Sequence, residues 1–185
     1  MRNYAISDSR LLGGIERLPD WVAGLEEAGV DMVQIREKSL PASDLVCVVT
    51  ACLLRCRRIR LLVNGRVDVA LACGAHGAHL PGDSPPAAAW RGIVPPGFLF
   101  GVSCHSTADA QAAQSGGADF AVAAPVFDPL SKAAYGRPLG IEELRRICQS
   151  VNLPVFALGG VTLRNAEECL AAGAAGVAGI TLYRG

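Results

Sequence analysis

Little in this chain carries charge or an aromatic ring. Charged residues make up 18% of it, aromatics 5%, and histidine occurs three times. So sparse a charge in a chain that is 51% hydrophobic excludes a disordered segment. Neither sign prevails, since Lys+Arg and Asp+Glu number 17 each. Nucleic acid and anionic membrane surfaces are therefore not expected as main partners. No apolar run approaches the roughly 20 residues that a membrane-spanning helix needs. Met1-Arg2-Asn3-Tyr4 leads straight into a short strand, so no secretory leader is expected and the expected location is cytoplasmic. The seven cysteines are an odd number with no metal-type spacing, and they read as reduced, buried small hydrophobes. The first turn, Ser7-Asp8-Ser9-Arg10, lacks the G-x-G-x-x-G of a dinucleotide-binding open sheet.

What the chain does contain is a recurring local pattern. A helix ending in Ala or Cys then Gly is followed by a short apolar strand, at Gly29, Gly74, Gly116-Gly117 and Gly173. Gly just past a helix end takes up the left-handed cap conformation at little cost. The pattern predicts strands near 4–6, 32–35, 60–63, 78–80, 99–102, 120–123, 155–157 and 176–180. Helices are predicted near 19–28, 42–57, 66–72, 86–91, 107–115, 141–149 and 163–171. The strands are uniformly apolar, as strands buried on both faces should be. Eight of them alternating with helices predict a single (β/α)8 barrel domain over residues 1–185. The chain reaches residue 185 just after the eighth strand, without a final helix. That predicts either a homo-oligomer partner over the uncovered strip or a truncated chain. The basic run Arg55, Arg57, Arg58, Arg60 reads as a solvated face.

In such a barrel the chemistry lies where strands end. Gln34, Arg36 and Lys38 alternate along the end of the second strand and share a face, opposite Ile35 and Glu37. An amide and two cations converging in this way suit an anion with several oxygens, such as phosphate or pyrophosphate. Gly159-Gly160-Val161-Thr162 and Gly179-Ile180-Thr181 follow strands seven and eight, where barrel phosphate sites are commonly built. Thr162 is expected to cap the next helix and turn its N-terminus on the anion. The punctuated segment Ala124 to Gly140 carries Lys132 and Arg137, which could close over a phosphorylated ligand. His76 is expected to be solvated and His79 to be a satisfied core histidine. His105, after strand five, is the candidate for proton transfer.

Taken together, these residues resemble the thiamine phosphate synthase family and its thiazole tautomerase relatives, the TenI-like proteins. The resemblance runs through Tyr4-Ala5-Ile6-Ser7-Asp8, Val33-Gln34-Ile35-Arg36-Glu37-Lys38, Leu62-Val63-Asn64-Gly65-Arg66 and Gly77-Ala78-His79-Leu80. It continues through Gly101-Val102-Ser103-Cys104-His105-Ser106, Ala124-Pro125-Val126-Phe127 and Val155-Phe156-Ala157-Leu158-Gly159-Gly160 to Gly176-Val177-Ala178-Gly179-Ile180.

It implies a thiamine-biosynthesis barrel whose ligands are small phosphorylated thiazoles and pyrimidines. The synthase joins hydroxymethylpyrimidine pyrophosphate to thiazole phosphate and releases pyrophosphate with Mg²⁺. By resemblance, Gln34, Arg36, Lys38, Asn64, Ser103 and Lys132 would hold pyrophosphate. Gly159, Gly160, Gly179, Ile180 and Thr181 would hold the thiazole phosphate. The synthase pattern has Asp where this chain has Gly65 and Ser84, which leaves Asp83, one position away, as the candidate metal ligand. The tautomerase pattern has a catalytic His where Pro125 stands. The leading expectation is tautomerase-type handling of thiazole phosphate with His105 as acid/base. The alternatives are an active synthase and a protein that only binds thiamine phosphate.

Overall fold

The computed structural model describes residues 2–128 and 137–183. Eight parallel strands close on themselves in sequence order: β1 (Arg2–Ile6), β2 (Met32–Ile35), β3 (Arg60–Asn64), β4 (Gly77–Leu80), β5 (Leu99–Cys104), β6 (Phe120–Ala123), β7 (Val155–Ala157) and β8 (Gly176–Gly179). β8 pairs with β1, Tyr4 against Ala178, and this closes the expected barrel.

Between the strands lie α1 (Ser9–Leu12), α2 (Leu18–Glu27), α3 (Ala42–Leu53), α4 (Val67–Cys73), α5 (Thr107–Ser115), α6 (Gly140–Ser150) and α7 (Ala166–Ala171). α2 turns Leu18, Val22 and Leu25 inward, and α3 turns Leu45, Val49 and Cys52 inward, at helical spacing. Ser106 caps α5 by accepting from the Asp109 backbone N–H, while the Asp109 carboxylate accepts from that of His105. Gly29, Gly74, Gly117 and Gly173 all have positive φ, between 70° and 101°, as expected for caps before a strand. At the end of α2, the Glu26 carboxylate gathers the backbone N–H groups of Arg57, Arg58 and Ile59 at 2.7–3.1 Å. This ties the helix to the start of β3 and holds that carboxyl at about 2, with the three N–H groups as the main cause.

The core has two parts. Alternate residues Ala5, Val33, Ile35, Leu61, Val63, Ala121 and Ala123 face the helices. Tyr4, Ile6, Met32, Leu62, Phe120, Val122, Phe156 and Ala178 fill the barrel itself. Gly101 faces that interior because nothing larger fits. A Cβ there would collide with the Phe120 ring and lie 2.9 Å from His79 Nδ1.

Two expectations fail. The predicted helix over 86–91 is a single 3-10 turn, Ala87–Ala89. Pro85-Pro86 and Pro95-Pro96 bracket a stretch too short to recover the cost of helix nucleation. The bare strip expected beside β8 is also missing among the described residues. Trp21 donates from its indole N–H to the Tyr183 carbonyl at 2.9 Å, and Tyr183 packs against the core. The large hydrophobics left exposed, Leu11, Leu54, Ile93 and Leu163, lie on four separate segments.

Replacing Gly101 with Ala should overpack the interior and destabilise the fold by about 1–3 kcal/mol. A fall in the urea midpoint with unchanged denaturant slope is the expected reading.

Candidate active site

Strand alternation carries Gln34, His79 and Ser103 to the inside of the barrel near its C-terminal mouth, with Asn64 beside His79 in register. The interior is closed, so buried polar atoms there must find partners. They find one another. The Gln34 Nε2 donates to the Tyr4 hydroxyl at 2.9 Å, and that hydroxyl lies 3.3 Å from His79 Nδ1. His79 Nε2 lies 2.9 Å from Ser103 Oγ. Burial, with a smaller contribution from the Arg36 charge, pushes His79 down to about 3, so its imidazole is neutral. Burial raises the Tyr4 phenol, and the Gln34 hydrogen bond only partly offsets that.

The structure therefore separates Gln34 from the cations it was expected to join. Gln34 is 2% exposed and committed to Tyr4. Arg36 is half-buried and directly follows the C-terminal end of β2. Lys38 is exposed and lines a recess of about 300 Å³ with Glu37, Asn64, Gly65 and Arg66. Glu37 fastens the neighbouring loop. It accepts from the Ser7 hydroxyl at 2.6 Å and from the Ser9 hydroxyl at 2.7 Å. The Ser7 oxygen in turn accepts from the Arg36 backbone N–H at 2.8 Å. Arg66, quoted above in the strand-three stretch without a role, also lines this recess, directly after Gly65 at φ +66°.

On the opposite arc, Gly159 and Gly160 adopt φ of +93° and +62°. Side chains there would meet Pro125 Cα at 2.7 Å and Phe127 Cβ at 2.7 Å. The Phe127 N–H donates to the Gly159 carbonyl at 3.0 Å. The glycines interlock loops six and seven as well as exposing backbone. Gly179, buried, is followed by half-buried Ile180 and exposed Thr181. Thr162 does not cap a helix. α7 begins at Ala166, and Asn165 closes the turn by accepting from the Thr162 N–H at 2.7 Å.

His105 is exposed, with Nδ1 2.6 Å from the Ala124 carbonyl. A carbonyl only accepts, so Nδ1 carries the proton, and Nε2 has no hydrogen-bond partner among the described residues. His76 is not solvated as expected. It is half-buried, and its Nδ1 accepts from the Leu61 N–H at 3.1 Å. Lys132 lies outside the described residues, and Arg137 is exposed. Asp83 is exposed, and no group of three or more His, Cys, Asp or Glu side chains that could hold a metal occurs among the described residues. Asp68 is engaged by Arg66 at 2.9 and 2.7 Å, and Asp8 by Arg10 at 2.9 and 2.7 Å. Those two carboxylates are held by arginines, which leaves exposed Asp83 as the candidate for an Mg²⁺ that would be shared with phosphate oxygens.

Fold and rim define the class: a (β/α)8 barrel whose polar side chains gather at the C-terminal ends of its strands. Within that class the chain belongs to the thiamine monophosphate synthase family, whose model matches residues 3–182. A putative thiamine-phosphate synthase of Geobacter sulfurreducens is 48% identical over 177 residues, 95% of this chain and 83% of that protein. A putative thiamine-phosphate synthase 2 of Aquifex aeolicus is 38% identical over 98% of this chain and 97% of its own length. The solved thiamine phosphate pyrophosphorylase of Pyrococcus furiosus superposes with a TM-score of 0.83 at 32% identity, covering 97% of this chain and 85% of that one. These names support the synthase expectation over the tautomerase expectation placed first above. No helix among the described residues is long and apolar enough to cross a membrane.

The low value for His79 sets a pH dependence. An unfolded histidine takes up a proton below about 6.5, whereas folded His79 resists until about 3. Stability should be full above pH 6.5 and fall as pH drops, by about 3 kcal/mol between pH 7 and 4. His76, lowered first by burial and then by Arg60, adds to the same slope. Urea midpoints across this range check it, and His79→Gln should remove most of the slope.

Proposed function

We propose that this protein couples hydroxymethylpyrimidine pyrophosphate to a thiazole phosphate and releases pyrophosphate. The observation that carries the reading is the recess lined by Lys38 of loop two and by Arg66 of loop three, which Asp68 holds, with half-buried Arg36 two residues before Lys38, together with the glycine loop Gly159-Gly160 on the same rim. In the coupling, the bond from the pyrimidine's methylene carbon to oxygen breaks and a bond from that carbon to the thiazole nitrogen forms. The electron pair leaves with pyrophosphate. Guanidinium and ammonium groups fixed beside the departing oxygens stabilise the charge that develops there. Asn64 and Ser103 line the approach to it. Gly159, Gly160, Gly179, Ile180 and Thr181 hold the thiazole phosphate through backbone N–H groups and the Thr181 hydroxyl. The leaving-group charge is met by these cations, and an Mg²⁺ carried with the pyrophosphate would be held beside Asp83.

A second reading, tautomerisation of a thiazole phosphate, is favoured by the open Nε2 of His105 at the mouth. Incubation of purified protein with both substrates separates the two. Thiamine phosphate appearing at a catalytic rate supports the coupling. Interconversion of thiazole tautomers without coupling supports the second reading. Tight binding of thiamine phosphate with neither conversion points to a binding protein.

Lys38→Ala should weaken pyrophosphate binding roughly ten- to hundredfold, the worth of one charged hydrogen bond. Thiazole phosphate affinity should hold. Gly160→Ala should do the reverse, because its Cβ would press on Phe127 and displace the loop. Isothermal titration with pyrophosphate and with thiazole phosphate reads both variants.

A further inference from the structure

The buried chain Gln34–Tyr4–His79–Ser103 has a direction. Tyr4, Gln34 and His79 are 0%, 2% and 3% exposed, so water does not complete their hydrogen bonds. The Tyr4 hydroxyl has one proton, and it accepts from the Gln34 amide at 2.9 Å. Its proton is then left for His79 Nδ1, at 3.3 Å. A neutral imidazole has one donor and one acceptor nitrogen. With Nδ1 accepting, Nε2 must carry the proton and donate it to Ser103 Oγ at 2.9 Å. Ser103 cannot return its own proton along the same line. Its hydroxyl hydrogen must point elsewhere, and Ser103 is half-buried one residue from the C-terminal end of β5, the mouth end of the strand.

We infer that Tyr4 and His79, set by Gln34, are positioning residues that lock the Ser103 hydroxyl as a hydrogen-bond donor to the pyrophosphate oxygens. This rests on the coupling reading above and adds to it a role for three buried residues. Gln34 thereby acts through Tyr4 and Ser103 and not on the anion itself.

The surroundings hold the relay in place. Tyr4 packs edge-on against Phe120 and Phe156 with ring centroids 5.5 and 6.0 Å away, and against His79 at 5.9 Å. Gly101 leaves the space that the Phe120 ring and His79 Nδ1 occupy. Burial keeps His79 neutral through the physiological range, so the polarity does not reverse with pH there. A histidine whose only task was to satisfy neighbours could take either tautomer. This one is assigned by the partner on each side.

The test is nitrogen-15 NMR of the histidines in the full chain, with His79→Gln to assign the resonance. The expected result at pH 7 is a neutral His79 protonated on Nε2. Protonation on Nδ1 would reverse the relay and overturn the proposal without any reference to activity.

Tyr4→Phe keeps the ring and deletes the hydroxyl. It should mix the two His79 tautomers, weaken inorganic pyrophosphate binding at least threefold and lower kcat about tenfold, leaving the KM for thiazole phosphate unchanged. Ser103→Ala should lose the same pyrophosphate affinity, and the double variant should lose little more. A tautomer shift with full pyrophosphate affinity would overturn the donor role. If Tyr4→Phe fails to fold, Gln34→Leu removes the same directional signal and is read in the same way. Failure of the wild-type protein to make thiamine phosphate would sink the coupling reading, while the tautomer and pyrophosphate measurements still decide the relay.

Discussion

A tyrosine hydroxyl on β1 and an imidazole on β4 meet inside a closed barrel, and much else follows from that contact. Closing eight strands leaves an interior with no route to water, so every polar atom placed there must be partnered. Tyr4 and His79 partner each other, and that draws in Gln34 on one side and Ser103 on the other. Gly101 is small because those rings need its space. Gln34 is withdrawn from the rim because its amide is needed below it. Arg36 and Lys38, two and four positions further along, lie beyond the end of β2.

The rim above this floor is built differently on its two arcs. Loops two and three present cations, and they are braced by Glu37, which pins Ser7 and Ser9. Loops six and seven present backbone, interlocked through Gly159 and Gly160 against Pro125 and Phe127. One arc offers long flexible charges, and the other offers short fixed backbone. The ion pairs Asp8–Arg10 and Asp68–Arg66 are exposed on at least one side and add little stability. Their consequence is local: they tie up carboxylates that could otherwise have turned toward a metal.

Much of this was legible beforehand. The Gly caps at Gly29, Gly74, Gly117 and Gly173 marked helix ends and located the strands, because a positive φ is a local backbone demand that glycine meets most easily. The failures share a cause. The tract at 86–91 held helix-forming alanines but too few residues between prolines to nucleate. Thr162 was a plausible cap, yet Asn165 reached back and closed a turn instead. Gln34 was expected to share a strand face with Arg36 and Lys38, but β2 ends at Ile35 and carries only Gln34 of the three. Alternation does not reveal how far along that face the barrel interior ends and the mouth begins.

The sequence by itself determined the barrel, its strand boundaries and the families of residues at the strand ends. Those depend on local periodicity and on turn residues, which a chain carries wherever it folds. Only the tertiary structure decided which of those residues face one another. Gln34, Tyr4, His79 and Ser103 come from four strands, with up to 99 positions between them, and nothing in their spacing announces a hydrogen-bonded line. That line exists because the barrel closes and buries Tyr4, Gln34 and His79, which leaves those three only their neighbours in the line to bond with.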